Sequence, residues 1–235
     1  PRAMLELPDT LPIRAFRLQA SYTAARLSAL EETRHLADDF SEAADKMAVL
    51  EGEEAQLAVR RMQTQAAVET ADDAWDDVML AFRARLLERA AHDTEAEIYR
   101  RYFADIPSNV TSLSYAAEIL ISKDLEAQLA HEDDPELSAF AARLADKRAG
   151  LEAIIRERTQ LEVEEARFAN RVALAKQVIN KLRRILFASL EEVQIARGRD
   201  RAWCARFYFT HNDVLAALDQ DGVEAEHEEI ELIET

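Results

Sequence analysis

The sequence predicts an all-α protein of long amphipathic helices, and two observations carry that prediction. Gly occurs four times and Pro five times in 235 residues. Chain reversals lean on these two residues for steric reasons, so their scarcity means few turns and long elements. Apolar residues also recur at three- and four-residue steps, as in Leu36, Phe40, Ala43, Met47 and Leu50, and again in Trp75, Val78, Phe82 and Leu86. That is the helical period, with a stripe wide enough to bury. Ala, Leu, Glu and Arg, which dominate the chain, lose little side-chain freedom in a helix, so local propensity agrees. The expected architecture is an antiparallel helical bundle or an elongated coiled coil.

Residues 1–13 read as an N-terminal segment. Pro1-Arg2-Ala3 ahead of Met4 looks like an addition before a native start, and no apolar core of a signal peptide follows. A first helical unit is expected over 14–107. It holds no proline from Arg14 to Asp105 and one glycine, Gly52. So long a run must reverse once to be compact. Gly52 as a C-cap after Leu50 is the preferred place. The alternative is Thr70, with Asp73 three residues on, as a capping box opening a new helix. Ile106-Pro107-Ser108-Asn109 is a break.

A second helical unit is expected over 108–221, packed with the first as one bundle. It opens with a short helix near 111–131. Asp134 then offers an N-cap and Pro135 the first helical position. Beyond it Leu137, Leu144 and Leu151 stand seven apart, as do Ile154, Leu161, Phe168, Ala175 and Leu182, interrupted by Arg158 and Glu165. Unbroken to Gly198, this seam makes a helix roughly 90 Å long; Asn170 is the place to fold it if the bundle is compact. An internal similarity supports two duplicated helical units: Ala96–Phe103 resembles Ala202–Phe209 at a spacing of 106. Both stretches end in aromatics expected to plug the end of a bundle.

Chemical signatures are sparse. Glu32-x-x-His35 is the helical spacing of di-iron bundles, which need a second such pair and two more glutamates facing one interior. The other Glu-x-x-His, Glu224 with His227, lies in the tail, and one chance match is expected among 46 acids. No metal and no cofactor is expected. Catalytic elbows and Gly-rich phosphate loops are missing, so an enzyme is not expected. The single cysteine, Cys204, excludes an intramolecular disulfide and fits a reducing, cytoplasmic setting. No run approaches the length of a membrane span.

The charge of −17 is uneven. Residues 171–206 hold nine cations against Glu191, Glu192 and Asp200, whereas Asp213–Thr235 holds nine acids and no cation. Nucleic acid and anionic membranes are disfavoured as partners by the overall charge. The acidic tail, 222–235, carries Ile230, Leu232 and Ile233 and reads either as a solubilising tail or as a docking motif. The expected function is therefore a non-enzymatic scaffold or adaptor acting through protein–protein contact and self-association. Leu144, Leu151, Leu161, Phe168 and the tail residues Ile230, Leu232 and Ile233 are the candidate interaction residues. The alternatives are a bundle that binds a small ligand or metal in its core, and a regulator whose acidic tail masks its basic surface.

Overall fold

A computed structural model of the chain describes residues 6–103, 106, 113–200, 202–209 and 216. The expected break at Pro107–Asn109 and the tail motif at Ile230, Leu232 and Ile233 lie outside them. Among the described residues every regular element is helical: α1 (Ile13–Ser28), a 3₁₀ turn (Arg34–Leu36), α2 (Asp38–Arg89), α3 (Glu97–Phe103), α4 (Tyr115–Leu129), α5 (Pro135–Arg197) and α6 (Ala202–Ala205). The chain divides into two compact units. One takes Pro1–Leu57 with Glu165–Thr235, and the other takes Ala58–Glu164. This grouping joins the two ends of the chain and sets the middle apart, where the sequence pattern pointed to consecutive halves.

The first long helix does not reverse at Gly52 or at Thr70; α2 runs through both for 52 residues. A Cβ placed on Gly52 would meet nothing within 4 Å, so the glycine sits on an open helix face. The Thr70 hydroxyl donates to the carbonyl of Ala66 at 2.8 Å, one turn back within the helix, and so does not cap a new one. The reversal lies earlier, between Ser28 and Asp38, and uses neither Gly nor Pro. Buried Thr33 holds it: its hydroxyl donates to the Leu27 carbonyl at 2.8 Å, which also accepts a long bond of 3.4 Å from the Leu30 amide.

α2 ends on Ala91 and His92, both left-handed with φ of 51° and 65°, and the His92 amide donates to the Leu87 carbonyl at 2.7 Å. L side chains pay for that backbone. His92 is exposed, so His92→Gly should raise stability by about 0.5–1 kcal/mol, read as a higher urea midpoint at unchanged slope. The start of α5 is as expected, with Asp134 Oδ1 accepting from the Glu136 amide at 2.8 Å. α5 then continues unbroken through Asn170 for 63 residues and stops at Gly198, whose φ is +63°.

In the unit that joins the two ends, Phe16, Leu27, Phe40, Met47, Ile179, Leu186, Trp203 and Phe207 form the core. Asn180 fastens the N-terminal segment to α5, accepting from the Leu7 amide at 2.9 Å and donating to the Leu7 carbonyl at 3.0 Å. Lys176 adds two bonds, to the carbonyls of Asp9 and Leu11 at 2.8 and 2.6 Å. The middle unit is built around Trp75, Met79, Phe82, Leu86, Tyr99, Phe103, Leu125, Leu129, Phe140 and Leu144. Arg148 pins α4 to α5 there with a two-pronged contact to Glu126 at 2.7 and 2.9 Å. Arg89 joins the end of α2 to Asp134 and Glu136 at the start of α5, at 2.9 Å each.

The aromatic ends of the two similar stretches are buried, one set in each core. The buried positions repeat at a spacing of 104 rather than 106: Trp75 with Ile179, Met79 with Arg183, Phe82 with Leu186, Leu86 with Leu190, Tyr99 with Trp203 and Phe103 with Phe207. Sequence matching favours the spacing that aligns Tyr with Tyr; packing follows the one that keeps the inward face in step.

Candidate functional site

The seam read from the sequence is used inside the chain. Leu144, Leu151, Leu161 and Phe168 are 0, 0, 3 and 8% exposed, so none is free to meet a partner while the protein is folded. Arg158, at the break in that seam, lies over the Tyr115 ring at 5.6 Å. Among the apolar residues left outside, those on the C-terminal half of α5 form a different row. On α5, Leu174, Val178, Ile185 and Ile195 are 62, 53, 53 and 75% exposed. Lys181, Ala188 and Glu192 complete alternating steps of four and three between them, and all three are exposed. At 100° per residue the row lies opposite the buried positions Ile179, Arg183, Leu186 and Leu190. A bare seam of coiled-coil period thus runs along the outside of this part of α5.

Its charge is one-sided. From Ala166 to Leu190 there are six cations and no acid: Arg167, Arg171, Lys176, Lys181, Arg183 and Arg184. Arg171 bonds Glu53 at 2.5 Å and Arg184 bonds Glu6 at 2.6 Å, while Arg167 and Lys181 are exposed on the line of the row itself. Arg183 is different. It is 1% exposed, with its guanidinium 4.9 Å from the centre of the Tyr208 ring and its carbonyl accepting from the Tyr208 hydroxyl at 2.9 Å. Burial brings its pKa down to about 10.

The middle unit carries two further features. A groove of about 520 Å³ opens between α2 and α5, floored by Ala66, Ala67, Thr70, Ala71, Ala74 and Gly150 and edged by Asp146, Lys147 and Ile154. Beneath the other side of α2, Glu118 is 2% exposed. Burial, then a hydrogen bond and repulsion from Asp72, then the charge of Asp76, push its pKa up to about 8. Asp76 itself is raised to about 6, by burial first and then by Asp72, Asp73 and Asp77. Next to them Trp75 Nε1 donates to the buried Ser122 hydroxyl at 2.5 Å. Asp72 and Asp76 stand one turn apart in the sequence, but nothing there marked Glu118, on another helix, as their partner. A carboxyl poised near neutral pH can hold and release a proton. None of these three acids lines the groove, so no substrate path to them is evident.

Glu32 and His35 do not form the α-helical pair that their spacing suggested. Glu32 precedes a 3₁₀ turn rather than lying on an α-helix, so the spacing that would align the two side chains is lost. Its carboxylate binds Arg199 and its pKa is lowered, chiefly by a backbone hydrogen bond. His35 is exposed. Among the described residues no group of three His, Cys, Asp or Glu side chains is arranged to hold a metal ion, and no helix is long and apolar enough to cross a membrane. No family model, curated protein or solved structure matches the chain.

Proposed function

We propose that the protein is a non-enzymatic helical scaffold or adaptor that works by protein–protein contact, with a second copy of itself as the first partner. The observation that carries this reading is the exposed row Leu174, Val178, Ile185 and Ile195 on α5. A row of apolar side chains at coiled-coil spacing on a rigid helix is what a partner helix needs, and a second copy is the partner always at hand. The seam through Leu144, Leu151, Leu161 and Phe168 supports the units from within and leaves the outer row for assembly. A cytoplasmic setting fits the reading, since the chain's one thiol, Cys204, is buried.

Light scattering on a sizing column tests it. The native chain should run above its single-chain mass of 26.6 kDa. A variant with Val178→Glu and Ile185→Glu should run at that mass with unchanged helix content, because each new carboxylate would be desolvated in the contact. Native protein that stays at one chain's mass up to its solubility limit would end the self-association reading.

A further inference from the structure

The two units carry opposite charge at equivalent places. Between Met62 and Phe82, α2 has five acids and no cation: Glu69, Asp72, Asp73, Asp76 and Asp77. Shifted by the 104 residues that align the buried positions, this stretch falls on 166–186 of α5, the part with six cations and no acid. The shapes also differ in a complementary sense. The basic stretch presents large side chains outward, Leu174, Val178 and Ile185. The acidic stretch has exposed Met62 and Leu80 near its ends, but between them it presents Ala66, Thr70 and Ala74, which with Gly150 and Ile154 of α5 leave the groove of about 520 Å³. Asp73 and Asp77, beside that groove, are exposed, as are Arg167 and Lys181 on the line of the row.

We infer that the groove of the middle unit is the docking site for the exposed α5 row of a second copy of this chain. The inference rests on the self-association reading above and makes it specific. Knobs at three- and four-residue steps need holes between small residues, and the row and the groove supply one each. Opposite charges beside the two surfaces set the direction in which the copies meet. Because row and groove are different surfaces, one contact between two copies leaves one row and one groove open on the pair, to be filled reciprocally by the same two copies or by further copies until a ring closes.

Two classes of variant separate this arrangement from a symmetric one. Val178→Glu with Ile185→Glu removes the row. Gly150→Phe places a ring in the groove from a position where a Cβ meets nothing within 4 Å; Asp73→Lys with Asp77→Lys reverses the charge beside it. Each variant alone should run at the mass of one chain in light scattering, with native helix content by circular dichroism. An equimolar mixture of the row variant and the Gly150→Phe variant should give a species of twice the chain mass and no larger, because one intact row meets one intact groove. Raising salt from about 0.05 to about 0.5 M should weaken the native association roughly tenfold.

Groove variants that keep the native mass while the row variant dissociates would overturn the groove assignment and leave a symmetric row-to-row contact, with the scaffold reading intact. A mixture that stays at one chain's mass would overturn it as well. A native protein that is itself a single chain would remove both readings together.

Discussion

Replacing Phe82 by alanine is expected to cost about 3–5 kcal/mol, the range of large aromatic truncations in a filled core. Phe82 is fully buried and packs against three rings on two other elements. Its ring centre lies 5.5 Å from Tyr102 in an edge contact, 5.8 Å from Phe103 and 5.2 Å from Phe140. It therefore joins α2 to α3 and to the start of α5, and edge or tilted pairs of this kind add to simple burial. α3 has only seven residues, too few to persist as a helix without such contacts. Urea unfolding followed by circular dichroism should show the lower stability. Hydrogen exchange should show α3 losing protection before the amides of α1. A cost under about 1 kcal/mol would mean that the surrounding rings close over the gap, and that the middle unit is not organised on Phe82.

Helix type and inward face were legible because both are periodic. Leu137, Leu144, Leu151, Phe40, Met47 and Phe82 are all buried, as a 3.6-residue period requires. The start of α5 was legible for another reason: an Asp before a Pro satisfies local geometry without help from elsewhere. The reversal after α1 was hidden because its deciding bond, from Thr33 to the Leu27 carbonyl, belongs to an ordinary residue in an Ala- and Leu-rich stretch. Gly52 and Thr70 misled since neither residue breaks a helix whose tertiary contacts continue past it. The surface proved harder. Periodicity marks every apolar seam alike, and only the packing of the chain on itself tells which seam is spent, as through Leu144 and Phe168, and which stays bare, as through Leu174 and Val178. Glu118 was beyond reach, since a buried acid is defined by neighbours on another helix.

That buried acid should make stability fall as pH rises. In the unfolded chain the Glu118 carboxyl loses its proton near the ordinary 4.5, whereas in the fold burial and the neighbouring Asp72 hold it up to about 8. The folded state therefore binds the proton more tightly. Its contribution is fully present below about pH 4.5, declines as the unfolded state begins to ionise, and is lost once the pH passes about 8. Asp76, raised from 3.8 to about 6, acts in the same direction over a lower window. Each tenfold difference in proton affinity is worth about 1.4 kcal/mol. Relaxation around a buried charge takes up part of that, which leaves about 2 kcal/mol between pH 5 and pH 9 as the expected loss. Glu118→Gln keeps a donor toward Asp72 but has no proton to lose. The variant should match the native protein near pH 5, exceed it by about 2 kcal/mol near pH 9, and lose most of the slope between. Urea unfolding at several pH values measures all three. A native curve that is flat from pH 5 to 9, or a Glu118→Gln curve with the native slope, would show that the proton sits elsewhere. Since Glu118, Asp72 and Asp76 belong to the middle unit, the same titration predicts where alkaline loosening begins: in α4 and the acidic stretch of α2. If the groove beside that stretch docks a second copy, assembly should weaken over the same pH range.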